Sequence, residues 1–215
     1  MDKRMKIMIG GAAALLLIIF CVLLFLNLLA SDDDARQINA GAIVSTSSAD
    51  TRAIVDLALE VAGTIKQGDY SSLAAHVHPQ YGVYFCPTAT VSLSSNKCFT
   101  AEEVAQFRGS RTSYVWGVKS DLGSPIDMTP DAYFIQYVFN TDYTKPALIG
   151  VDRVVKSGND LDNVADAFPD ARFVDLYREG TKENNYADWS ILRLVFEESD
   201  GRYMLTAVIH SEASL

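Results

Sequence analysis

The stretch Trp189-Ser190-Ile191-Leu192-Arg193-Leu194-Val195-Phe196, the turn Ser199-Asp200-Gly201, and the return Tyr203-Met204-Leu205-Thr206-Ala207-Val208-Ile209-His210 decide the fold. The first segment is apolar at nearly every position, which suits a strand buried on both faces. Asp-Gly supplies the positive φ angles that a two-residue hairpin turn requires. A long antiparallel hairpin over residues 188–210 is therefore predicted as the structural centre of the domain. Side chains alternate along a strand, so Leu194 and Val195 are expected to differ in effect when cut to alanine, the larger loss falling on whichever points inward. Arg193 interrupts the apolar run, and its loss is expected to matter little if it faces solvent or an open cavity.

Working back along the chain, Ala171 to Tyr177 alternates and reads as a strand, and Asn163 to Phe168 as one helical turn. The rest of residues 140–170 has no clear period. Thr129-Pro130 places a cap before a proline at the first helical position, predicting a helix through about Phe139. Gly123-Ser124-Pro125 reads as a turn and Tyr114 to Val118 as a strand. Thr100-Ala101-Glu102-Glu103 has the capping-box spacing, with a helix over 101–108 behind it. Gly82 to Phe85 reads as a strand. Asp69 caps a short helix, Tyr70 to Val77, that Pro79 ends. Ile54, Leu57 or Ala58, Val61 and Ile65 recur at helical spacing, so Thr51 to Gln67 is predicted helical, with Asp50 as its N-cap and Gly68 as its stop.

The resulting order is helix, helix, strand, helix, then mostly strands ending in a long hairpin. That order resembles the NTF2-like fold. The rhythm of Lys66-Gln67-Gly68-Asp69-Tyr70 and His76-Val77-His78-Pro79 carries the resemblance. It implies an α+β cone, with N-terminal helices packed on a curved antiparallel sheet around a cavity. Further stretches are similar to a family of membrane-anchored extracytoplasmic proteins of Gram-positive type. These are His78-Pro79 with Gly82-Val83-Tyr84-Phe85, Trp116-Gly117, Gly123-Ser124-Pro125-Ile126, and Trp189 to Glu197. The resemblance spans most of residues 51–215 and implies fold and location. It brings no activity with it, because none of these segments is a catalytic motif.

Residues 7–30 form one apolar run whose only polar side chain is Asn27. A helix of that length spans a hydrocarbon core of about 30 Å with some tilt. Lys3, Arg4 and Lys6 precede it and Asp32, Asp33 and Asp34 follow it. The positive-inside rule then places the N-terminus in the cytoplasm and the remainder outside. The expected organisation is a basic cytoplasmic tail (1–6), a single-pass anchor in the cell membrane (7–30), a flexible linker (31–49) and an extracytoplasmic domain (50–215). A cleaved signal peptide is the alternative, with Leu28-Leu29-Ala30-Ser31 as a passable site, but its apolar core is normally shorter. Cys21 lies in mid-span without a lipidation context.

The first thirty residues carry +2, so with −9 for the whole chain the outer part carries −11. That argues against nucleic acid as a partner. Cys86 and Cys98 lie close together in the external part, and an even pair there suggests a disulfide, two unpaired thiols being the alternative. No CxxC is present. No Gly-x-Ser-x-Gly, phosphate loop or His-Glu-x-x-His occurs, and no cofactor is implied. His76, His78 and His210 could in principle meet at zinc, but positions two apart on a helix point to different sides, so no metal site is expected.

The candidate ligand-binding residues of a cavity are His78, Trp116, Trp189, Arg193 and His210. Arg193 could hold an anion bidentately, or instead face solvent or pair with a cross-strand acid. The tryptophans could wall a pocket or simply belong to the core. Two functions stay open. One is a membrane-tethered, non-catalytic module binding a small ligand or an envelope protein partner. The other is a small cavity enzyme, an isomerase or hydrolase, and the absence of a catalytic motif favours the first.

Overall fold

The computed structural model describes residues 43–44, 49–119 and 123–213. The expected cytoplasmic tail, the membrane anchor and most of the linker lie outside the described residues. Helix α1 (Ala49–Gln67) buries Ile54, Val55, Ala58, Val61, Ala62 and Ile65 along one face, the three-four spacing that the sequence shows. It starts one residue before Asp50, so Asp50 is not its cap. Asp50 sits in the first turn, where a carboxylate suits the positive end of the helix dipole, and it pairs with Arg172.

Gly68 ends α1 as expected. Its φ is +59°, which is costly for any residue with a Cβ. The Gly68 N–H donates to the Ile65 carbonyl at 2.9 Å and the Asp69 N–H to the Thr64 carbonyl at 3.0 Å, closing the helix in a Schellman motif. Asp69 then caps α2 (Tyr70–His76), accepting from the Ser72 N–H at 3.0 Å.

Strand β2 (Val83–Cys86) and strand β3 (Lys97–Phe99) follow, then α3 (Ala101–Ala105). Its capping box is complete: the Glu103 N–H donates to Thr100 Oγ1 at 3.3 Å and the Thr100 N–H to Glu103 Oε2 at 2.8 Å. Thr100→Ala is expected to destabilise the domain by about 1 kcal/mol, read from chemical denaturation. An unchanged midpoint would mean that α3 is held by its neighbours alone.

Strands β4 (Tyr114–Val118) and β5 (Pro125–Met128) pair as a separate two-stranded sheet. Helix α4 (Pro130–Tyr133) has Pro130 at its start, although Thr129 makes no side-chain cap. It runs directly into a π-helical turn, Phe134–Val138. Strand β6 (Leu148–Val151), the short helix α5 (Val164–Ala167) and strand β7 (Arg172–Arg178) lead to the hairpin of β8 (Ser190–Ser199) and β9 (Arg202–Glu212). Asp200 and Gly201 take φ of +50° and +74°, as a type I′ turn demands.

The main sheet has seven strands in the order β1-β6-β7-β8-β9-β2-β3, where β1 is Ile43–Val44. Strand β8 is central, as the sequence predicts. The architecture is α+β. Two expectations are corrected. The sheet is not wholly antiparallel, since β2 runs parallel to β9 and β1 parallel to β6. Both pairs join strands far apart in the chain, where no hairpin dictates the direction. Ile43 and Val44, expected in the linker, form an edge strand beside Ile149 and Gly150.

Both faces of the sheet are covered. Val174, Leu176, Leu192, Leu194 and Val208 share one face and pack in the main core with α1. Phe173, Val195, Ala207 and Ile209 share the other and pack with Val164 and Phe168 of the α5 region. The Asn163 side chain pins that region down, bonding both the N–H of Val91 at 2.7 Å and its carbonyl at 3.0 Å.

The expected Cys86–Cys98 bridge is not formed; both are free thiols. Register explains it. Cys98 stands opposite Tyr84, with Cys86 two residues further along β2. The two are diagonal neighbours, a relation that holds Cα atoms roughly 7–8 Å apart, beyond ordinary disulfide geometry. Cys98 Sγ instead donates to the Tyr81 carbonyl at 3.3 Å, and burial pushes the Cys86 thiol far up.

Candidate functional site

Strands β7, β8 and β9 finish together. Arg178 stands opposite Ser190, and Ser190 opposite Glu212. One row inward, Leu176, Leu192 and His210 align in the same way. Side chains two apart share a face, so Arg178, Ser190, His210 and Glu212 all project to the α1 side of the sheet, just beyond the end of the apolar core. They line a cavity of about 700 Å³, within the range of small-molecule sites. Tyr137, Asn140 and Ile126 contribute to the rest of its lining, with Trp189 beside Ser190.

The π-helical turn places Tyr137. The Phe139 N–H reaches the Phe134 carbonyl, five residues back, at 2.7 Å. Such single π turns often occur at functional sites. Here a row of rings runs from core to cavity. Trp116 stacks on Tyr133 with centroids 3.9 Å apart, Tyr133 on Tyr137 at 5.3 Å, and Tyr137 meets the His210 ring edge-on at 6.2 Å. Trp116 is fully buried and donates to the Met128 carbonyl at 2.9 Å.

The wall beside Ser190 is tied by one tyrosine. The Tyr143 hydroxyl lies 2.8 Å from Asn140 Oδ1 and 2.9 Å from Ser190 Oγ. It has one proton, so it donates to the amide oxygen and accepts from the serine. Burial pushes its ionisation well above the ordinary tyrosine range. Asp188 accepts from the Thr181 N–H at 2.5 Å, Thr181 Oγ1 at 2.8 Å and Asn184 Nδ2 at 2.9 Å. Those bonds, with the Asn184 amide foremost, hold its carboxyl at about 2. Its oxygens are thus engaged within their own loop.

His210 and Arg178 are different. His210 is only 2 % exposed. Its Nε2 lies 3.1 Å from Glu212 Oε2, without the alignment of a hydrogen bond, and neither ring nitrogen has a hydrogen-bond partner. The imidazole contact holds the Glu212 carboxyl below its ordinary value, with burial acting in the opposite direction. Arg178 donates from Nη1 to the Lys145 carbonyl, while its buried Nε has no partner. Among the described residues, the buried side-chain polar atoms without a partner are Arg178 Nε and the two nitrogens of His210. All of them belong to residues lining this one cavity. Buried polar atoms in native structures are nearly always satisfied.

The structure divides the candidates read from the sequence. Trp189 and His210 line the cavity, while Trp116 belongs to the core. His78 is buried in its own turn, where Nδ1 accepts from the N–H groups of Gln80 at 3.2 Å and Tyr81 at 3.1 Å, and its ring stacks on Tyr81. His76 sits 3.7 Å from Glu60.

Arg193 faces the opposite side of β8. It is fully buried, donating from Nε to Asp175 at 2.5 Å, from Nη2 to Asp175 at 3.0 Å and from Nη1 to Asp162 at 2.8 Å. Burial works against its charge, but these two carboxylates more than offset it. The cross-strand pairing with an acid is thus the correct alternative, and Arg193 is unavailable to a ligand. Arg178 and Glu212 were missed in the sequence. Glu212 was legible as the residue two beyond His210 on one strand face. Arg178 was not, because its place depends on which strand lies beside β8.

No family model matches the chain, and no curated protein does. Among solved structures, the chain is similar to one described as a calcium/calmodulin dependent protein kinase II association domain from Xanthomonas campestris. The identity is 12 %, over 81 % of this chain and 94 % of that one, with a TM-score of 0.35. A likeness that distant transfers no property.

Proposed function

We propose that this chain is a membrane-tethered, extracytoplasmic, non-catalytic module whose NTF2-like domain binds a small ligand in the cavity at the ends of β7, β8 and β9. The observation that carries it is the cavity of about 700 Å³ itself, on the helix-covered side of the sheet and lined by Tyr137, Arg178, Trp189, Ser190 and His210. A cavity of that size suits a small molecule, and this favours a ligand over an envelope protein partner. The NTF2-like reading is supported by N-terminal helices on one sheet face, a central C-terminal hairpin, and a cavity on the helix-covered side. The tether reading rests on the apolar run 7–30 and its flanking charges, and the resemblance of stretches within residues 78–197 to Gram-positive extracytoplasmic proteins agrees with it. No helix among the described residues is long and apolar enough to cross a membrane, and residues 7–30 are not among them.

The His210–Glu212 contact supports a second reading. An imidazole 3.1 Å from a carboxylate could move a proton in an isomerase or hydrolase. Native mass spectrometry of the full chain in detergent micelles separates the two. Binding predicts a small-molecule adduct that leaves unchanged and that His210→Gln loses, whereas catalysis predicts a converted product. Absence of any adduct would contradict the ligand reading. Release of the intact chain by carbonate, or a mature N-terminus at Ser31, would contradict the tether.

A further inference from the structure

We propose that residues 156–161 form a lid that opens to admit the ligand, with the buried Arg193 cluster as its hinge; this rests on the cavity being a binding site. Both ends of the segment are fixed at one place. The Val155 N–H donates to Asp175 Oδ2 at 3.0 Å, and Asp175 pairs with Arg193. The same guanidinium donates from Nη1 to Asp162 at 2.8 Å. Thr90 Oγ1 adds a bond to the Leu161 carbonyl at 2.8 Å. The chain thus leaves a buried ion cluster and returns to it six residues later, as in the surface loops whose ends lie close together.

Between those ends the hold is weak. Among the described residues, the backbone of residues 156–159 bonds to no other backbone group, and Lys156, Ser157, Asn159 and Leu161 are exposed. Few hydrogen bonds and high exposure mark segments that open at little cost. The segment nevertheless reaches the cavity. Asp160 belongs to its lining, as do Trp189 and Glu212. Lys156 Nζ lies over the Trp189 ring, 4.8 Å from its centroid. Gly158 fits closely there, since a Cβ on it would stand 2.6 Å from the Glu212 carbonyl oxygen and 3.7 Å from the Trp189 ring. The closed position is therefore kept by packing and one cation–π contact. The neighbouring loop 179–188 is built differently, tied across itself by three bonds to Asp188, and is expected to stay fixed.

The test is NMR relaxation dispersion on the full chain in detergent micelles, which reads lid opening on the microsecond-to-millisecond scale. The expected result is exchange at the amides of residues 157–160 and at the Trp189 indole N–H with one common rate, and none at Val155 or Asp162. Lys156→Met removes the ammonium from the Trp189 ring. It should raise the open population about two- to fivefold and leave the thermal midpoint near that of the unmodified chain. Gly158→Ala should hold the lid off its seat. Of the two tryptophans, Trp116 is fully buried in the core, so added quenching by acrylamide reports Trp189. Flat dispersion across residues 156–161 would overturn the lid. So would exchange that included Val155 and Asp162, because the hinge would then move with the tip. A Gly158→Ala chain that loses thermal stability without added quenching would make the segment a fixed wall. These readouts use no ligand, so the adduct sought by native mass spectrometry decides separately whether the cavity binds anything.

Discussion

Replacing Arg193 with methionine is expected to destabilise the domain by about 3–5 kcal/mol, the range for breaking one side of a buried ion pair. The guanidinium is wholly enclosed, with Asp175 equally enclosed against it and Asp162 on its other side. Removing it leaves Asp175 as a buried charge with only the Val155 N–H at 3.0 Å still donating to it. The pH dependence has a definite sign. Burial already pushes the Asp175 carboxyl up and Arg193 opposes that, so loss of the arginine raises it further. A carboxyl whose folded-state value lies above its unfolded one contributes stability at low pH that is lost as pH rises. The deficit of Arg193→Met should therefore shrink on mild acidification. Pairing it with Asp175→Leu should recover most of the loss, since an apolar replacement of a buried pair is often close to neutral. Urea denaturation at two pH values reads both. A loss under 1 kcal/mol would mean that water reaches the cluster.

Leu194→Ala is expected to lose about 2–5 kcal/mol, and Val195→Ala about 1–3 kcal/mol for its smaller side chain. Strand alternation points the two to opposite faces, and on a sheet with one wet face only one would matter. Here both are fully buried, Leu194 in the core with α1 and Val195 against Phe173 and Ala207. A harmless Val195→Ala would show that the α5 region does not cover its face. A harmless Leu194→Ala would remove the hairpin from the centre of the domain.

The legible parts of this fold are those whose cause lies within a few residues. The Thr100–Glu103 box, the Asp69 cap, the Gly68 stop and the Asp200-Gly201 turn each close a local hydrogen bond or satisfy a local φ, so residue identity at fixed spacing announces them. The face of α1 was legible for the same reason. The near-continuous apolar character of residues 190–196 also signalled a central strand.

Other features depend on partners distant in the chain. Alternation says that Arg193 and Leu194 face opposite ways, but not that residues 162–168 fold back to cover the arginine and supply Asp162. Close spacing made Cys86 and Cys98 look like a pair, yet the β2–β3 register sets them on the diagonal. The cavity follows the same logic. His210 and Trp189 could be named from the sequence because each stands out in its own strand or turn. Arg178 becomes a site residue only because β7 pairs with β8 so that Arg178, Ser190 and Glu212 end in one row. Tyr137 reaches the cavity only because a π turn, which no spacing rule encodes, aims its ring there. Capping and turn energies act between neighbours, and the sequence by itself determined those. Strand order, register and the covering of each sheet face are settled by packing summed over the whole core, and only the tertiary structure decided them.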